Sequence, residues 1–150
     1  TDLAKILSVA GQRGLYEYVA QARNGAIAEN LADKKRTTFP NTSRISSLAD
    51  IAIYTSEGEM RLDEVFLAIK EALGDKPAPS HKAPESELVS LFQEAIPNYD
   101  DERFYISHMR KVIDWYSQIV EYRSLDFVKR EDEQQEENQE EEQEFGGMQM

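Results

Sequence analysis

The chain has 150 residues, with 29 acids against 17 bases, a net charge of −12 and no cysteine. The lack of cysteine excludes disulfides, thiolate metal sites and cysteine nucleophiles together, and the acidic balance argues against broad nucleic-acid binding, which rests on Lys and Arg neutralising phosphates. No apolar run approaches the roughly twenty residues that cross a bilayer, and no charged then apolar leader opens the chain, so a cytoplasmic location is expected.

In chain order, Leu3, Ile6, Leu7 and Ala10 fall at i, i+3, i+4 and i+7, which predicts a short amphipathic helix over residues 2–10. Gly11 and Gly14 end it and turn the chain. Residues 15–23 predict a strand, with the β-formers Tyr16, Tyr18 and Val19. Asn24-Gly25 leads into a second run at 26–31, so a hairpin with positive φ at both turn residues is expected. The next turn falls at Asp33-Lys34-Lys35, and residues 36–39 form a third strand stopped by Pro40. Residues 51–55 are a fourth strand, bounded by Ser56-Glu57-Gly58. Leu62, Val65, Phe66, Ile69 and Leu73 mark a helix closed by Gly74. Residues 1–74 therefore read as a β-rich module with a helix at each end, a small curled sheet or open barrel.

Residues 75–84 hold three prolines and read as a semi-rigid linker. Leu88, Leu91, Phe92, Ala95 and Ile96 then mark an amphipathic helix that Pro84 can start and Pro97 stops. After a polar break at 98–102, a long helix is expected to about residue 128. Its stripe is Tyr105, Met109, Val112, Tyr116 and Ile119, widened by Ile113 and Val120. Residues 85–130 are thus a helical hairpin that needs a partner surface, either the N-terminal module or a second copy of the chain. The fold class is α+β. Residues 131–150 hold nine carboxylates and no Lys or Arg, whereas residues 1–130 carry only −3. Too polar to offset its ordering entropy by burial, 131–150 reads as a disordered acidic tail.

The pattern Lys5-Ile6-Leu7-Ser8-x-x-Gly11-x-x-Gly14-Leu15-Tyr16, then Asn24-Gly25, then Leu48-x-Asp50-Ile51-x-Ile53-Tyr54-Thr55 resembles an uncharacterised two-part family of Bacteroidetes-type bacteria. Its N-terminal module is a domain of unknown function. Pro97-Asn98-Tyr99-Asp100 and Tyr105-x-Ser107-x-x-x-Lys111-x-x-x-Trp115-Tyr116 resemble the family's second domain. The resemblance covers most of residues 2–122 and none of the acidic segment. It implies a bacterial cytoplasmic protein and transfers no catalytic residue.

Catalytic constellations are sparse. His81 lies in the linker, and His108 has no partner at HxxxH spacing. Asp100-Asp101-Glu102 lacks the glycine and closing glutamate of a calcium loop and reads as helix N-terminal acids. Gly11-Gln12-Arg13-Gly14 is not a phosphate-binding loop, because no Gly-Lys-Ser or Gly-Lys-Thr follows and the expected order is helix then strand. No cofactor or metal is expected, and an enzyme is disfavoured.

Two basic spots remain. Lys34, Lys35 and Arg36 sit at a predicted hairpin tip, either as a solvated turn or as a contact for RNA phosphate or an acidic protein. If Ser107 caps the long helix, Arg110 and Lys111 oppose its dipole, and with Arg103 they would suit an anion. If the helix starts near Asp100, Arg103 and Arg110 are ordinary surface residues. Tyr105, Trp115, Tyr116 and Tyr122 read as core or interdomain packing, or as a docking surface. Three functional expectations follow. The first is a non-enzymatic interaction or adaptor protein with a protein partner. The second is a regulatory factor on RNA, the ribosome or the transcription machinery, with the acidic tail as intramolecular competitor. The third is a cryptic enzyme.

Overall fold

The computed structural model describes residues 1–128; the expected acidic tail lies outside them. Among the described residues the order is a 3₁₀ turn at Leu3–Lys5, strands β1 (Ile6–Val9), β2 (Tyr16–Ala22), β3 (Gly25–Asn30), β4 (Arg36–Pro40) and β5 (Ile45–Ser47), and a second 3₁₀ turn at Leu48–Asp50. Strands β6 (Ala52–Thr55) and β7 (Gly58–Arg61) follow, then helices α1 (Leu62–Leu73), α2 (Glu85–Ala95) and α3 (Ile106–Tyr122). Strands β4-β3-β2-β1-β5 form a five-stranded antiparallel sheet that does not close into a barrel, and β6-β7 is a separate hairpin. The fold is mixed α+β, as the sequence predicts.

The expected helix over residues 2–10 is replaced by the 3₁₀ turn and β1. Asp2 Oδ1 accepts from Ala4 N at 3.0 Å, and Lys5 N donates to Asp2 O at 3.0 Å, which completes a single turn. From Ile6 the backbone pairs on both sides, Leu7 opposite Tyr16 of β2 and opposite Ser47 of β5. So short a helix is marginal in isolation, whereas an interior strand buries side chains on both faces. Ile6 joins the larger core, and Leu7 and Val9 join a smaller one. Helical spacing and a two-sided apolar strand look alike over so few residues.

The β2–β3 hairpin exists, but Ala22 pairs with Gly25, so Arg23-Asn24 make the turn and neither has positive φ. Gly25 is required for another reason. A Cβ there would lie 1.9 Å from the Phe39 carbonyl oxygen of the adjoining β4. A bulge between Tyr18 and Ala20 interrupts the β2–β3 register and adds local twist. On one face of the sheet Leu7, Val9, Tyr16, Ala28 and Phe39 bury one another with no helical residue among them. The Tyr16 and Phe39 rings meet edge to face at 5.0 Å, across the strand that carries the fully buried Ala28.

The other face belongs to a core shared by the whole described chain. Leu3, Ile6, Leu15 and Leu31 from the sheet region meet Val65, Phe66 and Ile69 of α1, Leu88 and Phe92 of α2, and Ile113, Tyr116 and Ile119 of α3. The helical hairpin thus packs on the N-terminal half of the same chain. Glu64 accepts from Arg61 N at 3.3 Å at the start of α1, and Gly74, with φ 60°, closes the helix. Acids in the first turn and Lys70 in the last turn both suit the helix dipole.

Helix α3 starts at neither of the expected places. Residues 98–100 are drawn to the β6–β7 hairpin, with Ser56 N bonded to Asn98 O at 3.0 Å and Asp100 N to Tyr54 O at 2.9 Å. The Asp100 carbonyl accepts from Phe104 N at 2.9 Å, so a turn forms there but stops after one round, before Tyr105. Tyr105 is the cap, and His108 Nδ1 accepts its N–H at 3.0 Å. The helix ends at Tyr122, short of the expected 128, because the chain turns back to its own start. Ser124 N donates to Thr1 Oγ1 at 3.0 Å, and Val128 N to Thr1 O at 2.9 Å. Among the described residues no helix is long and apolar enough to cross a membrane.

Gly25→Ala is expected to lose about 2–4 kcal/mol of stability, since the methyl meets backbone. Gly11→Ala, with φ +81° but open space around it, is expected to lose about 1–2 kcal/mol. Urea denaturation of both variants compares them, and equal losses would remove the close-approach account.

Candidate functional site

Lys111, Asp114, Trp115 and Gln118 recur at i, i+3, i+4 and i+7 and share one side of α3. Facing them are the β1–β2 loop at residues 11–14 and the proline-rich connection at His81-Lys82. Together with Ser8 and Val9 of β1 they enclose a solvent-open groove of about 540 Å³.

Helix α3 holds both walls. Gln118 Oε1 accepts from the fully buried Leu15 N–H at 2.8 Å and so fixes the end of the loop. Gln118 Nε2 donates to Asp114 Oδ2 at 3.2 Å, and Asp114 Oδ1 lies 3.6 Å from His81 Nδ1. Arg110 Nη1 donates to the carbonyls of His81 and Ala83, each at 2.8 Å, and pins the connection to the helix. The loop turns through Gly11 and Gly14, both at φ +81°, a conformation glycine adopts without penalty. Trp115, 8% exposed, borders the groove and packs into the core.

The charge of the groove is one-sided. The side chains of Arg13, Lys82 and Lys111 are exposed, and none has a hydrogen-bond or ion-pair partner among the described residues. Asp114 is the one carboxylate among the lining residues, and it is engaged by Gln118 and His81. Three free cations in a concave site focus a positive potential, here on a body that is otherwise weakly acidic. Such a potential attracts negative charge. Ser8, His81 and Asp114 all border the groove, but among the described residues no hydrogen bond joins Ser8 to His81. The linked pairs that activate a serine are therefore not assembled here. No group of three or more metal-ligating side chains occurs among the described residues.

The other sequence candidates lie outside this groove. Lys34, Lys35 and Arg36 are exposed in the β3–β4 hairpin, where Lys34 has φ 65° and Arg36 pairs with Glu29 at 3.4 Å. Arg103 is separated from Arg110 and Lys111. It bonds Asp100 at 2.8 Å and lies 4.0 Å from the centre of the Tyr54 ring. The Arg103 hydrogen bond, helped by the Glu102 N–H, holds the Asp100 carboxyl below its ordinary value, and the same bond raises Arg103. Tyr116 is buried, and its desolvation raises the phenol. Tyr122 is half-buried against the same core. Tyr105 is 53% exposed, stacks on His108 at 5.2 Å and donates its hydroxyl to Glu102 O at 2.6 Å. Arg13, His81, Lys82, Asp114 and Gln118 were not legible as a site. The polar i, i+3, i+7 row beside Trp115 is the one signal, and it does not point to a loop a hundred residues earlier.

Fold and groove define an α+β protein in which the β1–β2 loop, the proline-rich connection and α3 meet at a cationic cleft. The chain belongs to a two-part family: residues 3–48 match a Domain of unknown function (DUF5606), and residues 51–119 match a Domain of unknown function (DUF6852). The junction falls at the 3₁₀ turn before β6, so β6, β7 and α1 go with the helical hairpin rather than with the sheet. The groove takes its loop from the first matched region and its connection and helix from the second. A solution NMR structure of a Bacteroides vulgatus protein, a structural genomics target, is similar at 40% identity and TM-score 0.64, over 79% of this chain and 85% of that one. No curated protein matches the chain.

Gln118→Ala strands the buried Leu15 N–H and is expected to lose about 1–3 kcal/mol, with faster hydrogen exchange at the Leu15 amide as the local readout. For Asp100, NMR titration should place the midpoint below the ordinary 3.8 in the native chain and move it upward in Arg103→Ala. Because its folded value is depressed, the contribution of Asp100 is present above its ordinary value and is lost as pH falls through the lower one.

Proposed function

We propose that this chain is a non-enzymatic interaction or adaptor protein that engages an acidic segment of a partner protein through the groove. The observation that carries the reading is the division of labour among its polar groups. Gln118, Asp114, His81 and Arg110 are committed to holding the walls, while Arg13, Lys82 and Lys111, at the junction of the two family domains, have no partner among the described residues. Preformed walls with uncommitted charge suit recognition, since little ordering is needed on binding. Electrostatic complementarity of this kind sets specificity and association rate. RNA phosphate has the same sign, but the groove offers one partly buried aromatic edge rather than the exposed stacking platforms that hold single strands.

The test is affinity capture from the source cell with the full chain and with Lys82→Glu/Lys111→Glu, with and without nuclease. A protein partner should survive nuclease, weaken as salt rises, and bind the variant at least about tenfold less well, a loss of about 1.4 kcal/mol. Capture that is indifferent to the two reversals overturns the reading, and release by nuclease alone transfers it to RNA.

A further inference from the structure

We infer that the acidic segment of the partner runs on from the groove, in extended form, along a row of cations at one end of the five-stranded sheet. This rests on the reading of the groove as the site of such a segment, and it sets the segment's length and course.

Charge divides along the family boundary. Residues 3–48 hold seven Lys and Arg against three acids, whereas residues 51–119 hold seven against thirteen. The three acids of the sheet region are all engaged: Glu17 by Arg123 at 2.8 Å, Glu29 by Arg36 at 3.4 Å, and Asp33 by the Lys35 N–H at 2.9 Å. The side chains of the other six cations, Lys5, Arg13, Arg23, Lys34, Lys35 and Arg44, are exposed and have no hydrogen-bond or ion-pair partner among the described residues.

Topology gathers four of the six. Strand β1 ends and β2 begins at the loop that carries Arg13, and β3 ends and β4 begins at the turn that carries Lys34 and Lys35. In an antiparallel sheet of this strand order, both connections lie at the same end. Arg44 joins them, because Ala10 N donates to Arg44 O at 2.9 Å where β5 starts beside the end of β1. Lys5 and Arg23 lie at the opposite end, before β1 and in the β2–β3 turn.

Gly14 ties this row to the groove. A Cβ there would lie 3.4 Å from Asn30 Nδ2 and 3.5 Å from Gln118 Oε1. The side chain that folds the β3–β4 turn and the side chain that holds the groove wall therefore meet at one glycine. Asn30 Oδ1 accepts from Ala32 N at 2.9 Å and from Asp33 N at 3.2 Å, and Lys34 N donates to Asn30 O at 3.0 Å. The turn is thereby held in a fixed relation to the loop of Arg13.

Neighbouring strands lie about 4.8 Å apart, so the row from the β3–β4 turn through Arg13 to Arg44 spans about 17 Å, the reach of roughly five extended residues. That span suits a short acidic peptide. A longer polyanion leaves the row and meets the acid excess of residues 51–119. Tyr16 at the start of β2 and Trp115 at the groove are buried, which leaves nucleobases without the exposed platforms that hold single strands.

Fluorescence anisotropy of the full chain with labelled peptides of eight and of three glutamates tests the row. At low salt the longer peptide should bind at least about tenfold more tightly, and Lys34→Glu/Lys35→Glu should remove that advantage. Lys5→Glu/Arg23→Glu changes the net charge equally at the opposite end of the sheet and should keep it. Equal losses in the two double variants overturn the inference, since net charge alone then accounts for them. So does a longer peptide that binds no better than the short one. An octauridylate that binds more tightly than eight glutamates, with the same dependence on Lys34 and Lys35, assigns the row to nucleic acid and overturns it as well. If partner capture depends on Lys82 and Lys111 but ignores Lys34 and Lys35, the groove reading stands and the row falls. If capture depends on Lys34 and Lys35 but ignores Lys82 and Lys111, the row stands and the groove reading falls.

Discussion

The apolar stripe of α3, with Met109, Val112, Ile113, Tyr116 and Ile119 buried in the core, fixes the rotation of that helix about its axis. Burial of such side chains is worth about 1.5–3 kcal/mol each, so the seat of α3 is set by packing before any polar contact is made. Once the helix is seated, its neighbouring side has no freedom. Lys111, Asp114, Trp115 and Gln118 must face the β1–β2 loop and the proline-rich connection. The hydrogen bonds of Gln118 and Arg110 then stabilise walls whose positions the core has already chosen. The groove is a consequence of helix packing and is as rigid as that packing.

The two regions of the family therefore depend on each other. The sheet region has a small cluster of its own around Tyr16, Ala28 and Phe39, but its Leu3, Ile6, Leu15, Leu31 and Leu48 are buried in the core it shares with the helices. A fully buried N–H of Leu15, in the first region, is satisfied by a side chain of the second. An unmade bond there would cost more than the made one contributes. This one hydrogen bond couples the loop that carries Arg13 to the helix that carries Lys111. A site at such a junction is complete only when both regions are folded together.

Much of the fold is legible in the residues. Strong periodicity marks α1 and α2, and Gly74 and Pro97 stop them for the reasons expected of glycine and proline. The hairpins of β2–β3 and β3–β4 follow from turn residues between β-forming runs. The short elements at 3–9 and 45–47 are different. Leu3, Ile6 and Leu7 fit a helix as well as a two-sided strand, and only pairing with both β2 and β5 decides between them. Before α3 comes a single separate turn at 100–104, tied to the β6–β7 hairpin through residues 98–100, and the helix proper starts after the Tyr105 cap, a break that no local propensity describes. Trp115 illustrates the limit at the level of a site. Its spacing says that it faces something apolar, but not that its edge borders a groove beside Lys82 and Arg13.

Composition and local pattern alone determine the class of this protein. It is an α+β chain without thiol chemistry, with a nearly balanced body and its acidity concentrated in residues 131–150. These properties are sums over residues or depend on neighbours a few positions apart, so no folding is needed to read them. Tertiary structure alone decided which charges are free. Arg36, Arg103 and Arg110 are spent on nearby carboxylates or carbonyls, whereas Arg13, Lys82 and Lys111 converge from three distant parts of the chain with no partner among the described residues. The physical reason is that an unpaired cation is defined by what lies within a few ångströms of it, and here those neighbours are up to a hundred residues away in sequence.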